Sequence, residues 1–314
     1  MENTPVKQHT VPNSYLLKFA DARGFTWVYD RKLKELRNQP TKDTTVKRDY
    51  YTFTQRSGKK LYTLEKTFAN IIEAKFNPIV AKLEKGEKLL PDEYGYLCAF
   101  AAFQWIRTTA SRRDFNHATE EFAKFWMKLN FRTPEISKHS IDRYEKSTGK
   151  KLGVTPEQAT KFAADNFNVK VPQEYHIKYI VTSFNDFYKE LFDLNWLILT
   201  ASNNDFFLTC DNPFYVQRKK APPFIPQHLS VGEITLPLTP KLCLYMHGNG
   251  RAFGFMAINK KEVEQINFRT MFSSDRFIIS RKRKILVNLV KRSKIDALPM
   301  KPRIKFSSPL ARRG

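Results

Sequence analysis

Along this chain the spacing of apolar positions changes twice, and each change predicts a different kind of structure. In the opening sixty residues, Phe25-Thr26-Trp27-Val28-Tyr29 alternates as a strand does, and Asp49-Tyr50-Tyr51-Thr52-Phe53 reads as a second aromatic strand beyond a polar loop containing Pro40. Alternation marks a strand because successive side chains point to opposite faces. A short helix capped by Asn13-Ser14, with Tyr15, Leu16 and Phe19 inward, precedes them and ends at Gly24. From Leu61 to Leu83 the period becomes helical, with Leu64, Phe68, Ile71, Ile72, Phe76 and Ile79 on one side and Pro78 in the last turns. Pro91 opens a second helix that is apolar nearly all round from Leu97 to Ile106, which predicts burial. Residues 117–129, 155–167 and 173–192 extend the helical block, while the polar, lysine-rich stretch 132–153 reads as an exposed excursion.

Strands return after residue 192. Trp196-Leu197-Ile198-Leu199 and Phe206-Phe207-Leu208 flank Ser202-Asn203-Asn204 and predict a hairpin. Ile234 to Pro240 leads into Leu242-Cys243-Leu244-Tyr245-Met246, followed by Gly248, Gly250 and Gly254 as turn glycines. A helix over 259–272, a short strand Phe277-Ile278-Ile279-Ser280 and a helix over 281–293 complete the pattern. The last of these carries an apolar seam (Ile285, Leu286, Leu289, Val290) and a cationic face. The expected fold class is α+β: N-terminal strands, a central helical block, and C-terminal antiparallel strands packed on the helices. One domain is expected over 1–298 (1–60 mostly β, 61–192 mostly α, 193–298 mixed), with a basic flexible tail over 299–314.

Composition narrows the function classes. The 314 residues are rich in aromatics, with 26 Phe, so a disordered chain is excluded. No apolar run is long enough to span a membrane, and Met1-Glu2-Asn3-Thr4-Pro5 has no leader character. Cys98, Cys210 and Cys243 lack paired or zinc-like spacing, which fits reduced thiols and a cytoplasmic location. The net charge is +23, and residues 276–314 hold 13 of the 54 basic side chains against a single acidic one. A basic end of that kind attracts polyanions, nucleic acid above all. Arg281, Lys282, Arg283, Lys284, Lys291, Arg292, Arg312 and Arg313 are the expected contacts.

Candidate chemistry centres on Thr209-Cys210-Asp211-Asn212-Pro213, where an apolar run stops at a turn and holds a carboxylate at a strand end. Gln104 and Arg107 lie three apart on the buried helix, so they share a face. A buried guanidinium must meet a carboxylate, a carbonyl cluster or a phosphate. His9, straightened by Pro12, is the histidine best fixed to act as a ligand, a base or a strut. Glu65 and Glu73 cannot grip one ion together, and Glu65 is the chosen partner for Asp211. No basic neighbour activates Cys210, which reads as a small buried residue.

In order, Gln8-His9-Thr10-Val11-Pro12 with Tyr15-Leu16 and Phe19, Val28-Tyr29-Asp30, Leu64-Glu65, Gln104-x-x-Arg107-Thr108 and Thr209-Cys210-Asp211-Asn212-Pro213 stand along nearly the whole chain. With Pro237-Leu238-Thr239-Pro240, Ile266-Asn267 and Arg276, this set resembles the bacterial domain-of-unknown-function family numbered four-two-three-eight. The resemblance implies a shared site of His9, Gln104, Arg107 and Asp211 but no activity, and Asn212, next to Asp211, is a further catalytic candidate; Cys210 stands where the family usually has Ser. The leading expectation is a metal-dependent nuclease, a toxin or defence effector, with Asp211, Glu65 and His9 holding Mg²⁺ or Mn²⁺. The alternatives are a non-catalytic nucleic-acid-binding protein, with the same residues as a buried network, and a basic subunit docking on an acidic protein partner.

Overall fold

The computed structural model describes residues 7–54, 60–61, 73–165, 167–202, 204–217 and 232–297. Its strands are β1 Lys7–His9, β2 Phe25–Asp30, β3 Glu35–Pro40, β4 Val46–Arg48, β5 Phe53–Thr54, β6 Lys60–Leu61, β7 Leu194–Ala201, β8 Thr209–Cys210, β9 Tyr215–Gln217, β10 Glu233–Pro237, β11 Leu242–Asn249, β12 Phe253–Ile258 and β13 Phe277–Ser280. The helices are α1 Asn13–Leu16, α2 Ala74–Glu84, α3 Pro91–Ile106, α4 Thr109–Asn130, α5 Pro134–Thr148, α6 Pro156–Ala164, α7 Gln173–Phe192, α8 Lys260–Ser273 and α9 Arg283–Ser293. This is the expected α+β order of N-terminal strands, central helices and C-terminal, mainly antiparallel strands. No helix among the described residues is long and apolar enough to cross a membrane.

Contacts divide the chain into two compact units. The larger takes the described residues through Arg112 and from Ile177 to Ala297 and contains both main sheets. One sheet runs β12-β7-β11-β10-β9, the other β3-β2-β13-β8. The first has an unbroken apolar face: Trp196, Ile198, Leu236, Leu244 and Met246 are buried in one core with Leu97, Phe100 and Phe103 of α3. That core explains why α3 is apolar nearly all round. Tyr15 is fully buried, so its hydroxyl must be satisfied internally. It lies 2.6 Å from Thr209 Oγ1 on β8 and donates to the Pro237 carbonyl on β10 at 2.7 Å, joining the ends of the two sheets.

The smaller unit, Arg113–His176, is helical. Helix α5 lies where an exposed excursion was expected; Thr133 caps its start, and Gly149 closes it at φ 68. Its Ser137 hydroxyl meets that of Thr160 on α6 at 2.7 Å. Only Ser137 and Ile141 are buried, a stripe too thin to dominate the lysine-rich sequence.

Other expectations are corrected by pairing. Residues 206–208 do not return on β7 as a hairpin; β7 pairs β11 antiparallel and β12 in parallel, and Thr209–Cys210 pairs β13 in the other sheet. The polar loop before residue 46 contains β3, paired along its length with β2. The second aromatic strand is confined to Phe53–Thr54, because Tyr50 and Tyr51 form a turn with both rings buried. Gly254 sits inside β12, paired with Leu197 of β7, and not in a turn. The helix expected from Leu61 is described from Ala74: Leu61 itself pairs with Phe53 in β6, and residues 62–72, Glu65 among them, lie outside the described residues, as does the tail from residue 299.

Candidate functional site

The sequence around His9 folds as it does because Gln8 is fully buried and acts as a template. Its Oε1 accepts from the Tyr51 N–H at 2.5 Å, and its Nε2 reaches Thr52 Oγ1 at 3.4 Å, fixing the aromatic turn against β1. His9 follows, with ring Nε2 at 3.2 Å from the Lys42 carbonyl. Burial first, and the charge of Arg107 second, push the imidazole pKa below its usual value, so the ring is neutral and donates from Nε2. Nδ1 is then its acceptor nitrogen.

Arg107 ends the buried helix α3 with its side chain 1% exposed. Nη1 pairs with Glu73 Oε1 at 2.5 Å, and Nη2 donates to the His9 carbonyl at 2.5 Å. The guanidinium carbon also stands 4.5 Å from the centre of the Phe103 ring. Of the partners that a buried guanidinium demands, the protein thus supplies a carboxylate and a carbonyl. The carboxylate is Glu73. Gln104, one turn earlier, is fully buried with neither Oε1 nor Nε2 hydrogen-bonded. An orphaned buried amide costs stability.

The two residues after Arg107 carry the connection onward. Tyr51 and Tyr50 donate their hydroxyls to the carbonyls of Arg107 and Thr108, at 2.5 and 3.3 Å. Thr108 Oγ1 donates to Asn212 Oδ1 at 2.8 Å, and Thr109 Oγ1 to Asp275 Oδ2 at 2.8 Å. Asn212 in turn donates from Nδ2 to the Ser273 carbonyl at 3.0 Å, and its own carbonyl accepts from the Ser273 hydroxyl.

Asp211 sits at the centre of the second half of this network. Its Oδ1 accepts from the Asp275 N–H at 2.8 Å; its Oδ2 accepts from the N–H groups of Arg276 at 2.7 Å and Phe277 at 3.1 Å. The strand end thus cradles the carboxylate with three main-chain donors, the arrangement that stabilises an anion. Complete burial opposes them, and the nearby Asp275 charge adds to it, so the pKa is raised to about 6. With both oxygens on backbone N–H groups and only 3% of the residue exposed, Asp211 suits a structural latch and does not fit a metal ligand. No hydrogen bond or ion pair joins His9 to Asp211, and among the described residues no three His, Cys, Asp or Glu converge as a metal-holding group. Of the expected ligands, Glu65 lies outside the described residues.

Of the expected set, His9, Arg107, Asp211 and Asn212 therefore belong to one chain of contacts with two centres, while Gln104 is buried beside it without a hydrogen bond. Arg107 gathers Glu73 and His9; Asp211 and Asn212 gather the segment from Ser273 to Phe277; Thr108 and Thr109 join them. Asp30, fully buried at the end of β2, extends it and was missed as a site residue. Arg276 forks onto Asp30 at 2.7 and 3.0 Å, and Arg37 adds a bond at 2.9 Å. A carboxylate closing an aromatic strand was the available signal.

The expected nucleic-acid contacts lie elsewhere on the larger unit. Arg281, Lys282, Arg283 and Lys284 are all exposed at the start of α9, as are Lys291 and Arg292 near its end. Leu286 and Leu289 are buried beneath them, so the seam and the cationic face are both present. Lys284, Lys291 and Arg292 line a groove of about 820 Å³ between α8, α9 and the 202–206 segment. Arg312 and Arg313 lie outside the described residues.

No curated protein and no solved structure matches this sequence. A family model described as "Protein of unknown function (DUF4238)" matches residues 7–284, which include both centres of the network and the first cations of α9; the chain belongs to that family.

Proposed function

We propose that this protein binds nucleic acid in the cytoplasm without cleaving it, and that the network from Glu73 to Asp211 holds its scaffold. The observation that carries this reading is the division of labour between the two regions. Of the residues expected to be catalytic, Arg107, Asp211 and Asn212 are buried and bonded to main-chain atoms, Gln104 is buried without a hydrogen bond and His9 is half-buried, whereas the cations of α9 face solvent. Among the described residues, Lys282, Arg283, Lys284 and Lys291 have no carboxylate partner, and Arg292 alone of the α9 set is paired, with Glu264. Unpaired exposed cations on a chain of net charge +23 give a strong, salt-sensitive attraction for phosphate chains. The hydrolytic alternative, with Mg²⁺ or Mn²⁺ held by Asp211, His9 and Glu65, asks Asp211 to give up the backbone donors that support β13.

The test is a salt titration of binding to labelled DNA and RNA. The expected result is a fall in log affinity that is linear in log salt, with a slope of about −3 or steeper, and no loss of full-length probe with Mg²⁺ or Mn²⁺ present. Flat salt dependence, or a probe degraded with either metal, would overturn the reading. A basic subunit docking on an acidic protein would instead ignore the probe and bind a polyglutamate chain.

A further inference from the structure

We infer that the groove between the 202–206 segment and helices α8 and α9 is a site for single-stranded nucleic acid; this rests on the nucleic-acid reading above and deepens it. A groove of about 820 Å³ is the size of a site for a drug-sized ligand, and so for a nucleotide or two of an extended strand. Its cations come from two helices. Lys260 stands at the start of α8, and Lys284 and Lys291 stand seven residues apart on α9, two turns along one face. None of the three has an ion partner among the described residues. Glu264 is the groove's carboxylate on α8, and Arg292 neutralises it by a two-pronged contact at 3.0 Å on each oxygen. Asp205 is a second lining carboxylate, accepting from the Ser202 hydroxyl at 2.6 Å, so Lys260, Lys284 and Lys291 together leave the groove net positive.

The floor separates a nucleic-acid strand from a bare phosphate. Val263 and Leu289 are buried in it, and the half-buried Phe206 forms one wall. Lys241 fixes that wall by donating from Nζ to the carbonyls of Ser202 at 2.5 Å and Asp205 at 2.8 Å. Asn267 fixes it from the other side, accepting from the Leu208 N–H at 2.7 Å and donating to the Phe206 carbonyl at 2.9 Å. A cationic rim over a rigid apolar and aromatic floor is what single strands require, since their phosphates and their base faces must be met together. A duplex keeps its base faces stacked on one another and would leave the floor unused. The exposed amides of Asn204 and Asn288 offer donors and acceptors for base edges.

The experiment compares fluorescence anisotropy of a labelled oligo-dT strand and of a labelled duplex, on the full chain and on three full-chain variants. Lys284→Ala/Lys291→Ala should weaken oligo-dT binding by about tenfold at moderate salt and flatten the salt slope by roughly 1.4, with Tm unchanged. Phe206→Leu should bring single-strand affinity down towards the duplex value. Arg281→Ala/Arg283→Ala, at exposed cations that do not line the groove, should weaken strand and duplex alike. If the two-lysine variant binds oligo-dT as tightly as the wild type, the groove assignment is wrong while the general reading stands. If no probe binds, or polyglutamate competes better than unlabelled oligo-dT, both are overturned.

Discussion

Arg276 donates its backbone N–H to Asp211 Oδ2 at 2.7 Å while its guanidinium holds Asp30 on the neighbouring strand. A single residue at the start of β13 thus secures two buried carboxylates, one by main chain and one by side chain. Asp30 belongs to β2 and Asp211 follows β8, and both strands pair with β13. The centre of the smaller sheet is therefore fastened electrostatically at one end, on the side where α3 delivers Thr108 and Thr109.

Replacing Arg276 by Ala should remove the Asp30 fork and leave the Asp211 cradle intact. Arg37 stays on Asp30, so the carboxylate does not become bare. The expected loss is about 2 kcal/mol in urea unfolding, and Arg276→Lys should recover part of it without the two-pronged geometry. A loss indistinguishable from zero would mean that the partly exposed guanidinium is screened by solvent.

Asp211 should give the protein a characteristic acid response. Its folded pKa, about 6, lies above the usual 3.8, so between those values the native state binds the proton more tightly than the unfolded chain. The sign follows: Asp211 contributes stability at acid pH that is lost as pH rises from about 4 to 6, and its contribution is flat above that. Asp211→Asn removes the titration. The stability difference, wild type minus variant, should fall through this window by at most about 3 kcal/mol. A difference that grows with pH would mean that the three N–H donors outweigh burial.

Arg107→Leu should be among the most damaging single changes, at about 3–5 kcal/mol, because it strands the Glu73 carboxylate and the His9 carbonyl. Glu73→Gln keeps an acceptor and should cost about 1–2 kcal/mol. The double variant should fall well short of the sum, and a double-mutant cycle measures that coupling. Additive effects would show that the pair does not act as one unit.

Cys210→Ser should be tolerated to within about 1 kcal/mol. The Asn212 N–H lies 3.4 Å from the sulfur and the Ser273 hydroxyl 3.5 Å from it, and a hydroxyl can serve both. Cys210→Val keeps the volume but leaves that N–H without its acceptor, so it should cost more, by about 1–3 kcal/mol. Thermal unfolding of the two variants side by side decides it.

The elements that the sequence predicts well are those whose periodicity and burial agree. The apolar part of α3, α8 and Phe277–Ser280 bury the residues that their spacing places inward, while Phe25–Asp30 is a strand as its alternation predicts but leaves Phe25 and Trp27 half-buried. Spacing identifies a strand but not its partner, so Trp196–Leu199 reads correctly as a strand and wrongly as half of a hairpin with 206–208. At the site, His9, Arg107, Asp211 and Asn212 stand out as polar residues at points where the chain must turn or bury them. Their partners were hidden for a physical reason. The N–H groups of Asp275, Arg276 and Phe277 and the carbonyl of His9 belong to the main chain, and no residue type announces them.

The division between a buried scaffold and a cationic binding face is tested most directly with Asp211→Asn, assayed below its Tm for oligo-dT binding across salt and for probe cleavage with Mg²⁺ or Mn²⁺. The expected result is an affinity and salt slope matching the wild type, within about threefold, and an intact probe with either protein. A wild type that cleaves the probe with either metal, beside a folded Asp211→Asn variant that binds but does not cleave, would contradict it and make Asp211 catalytic.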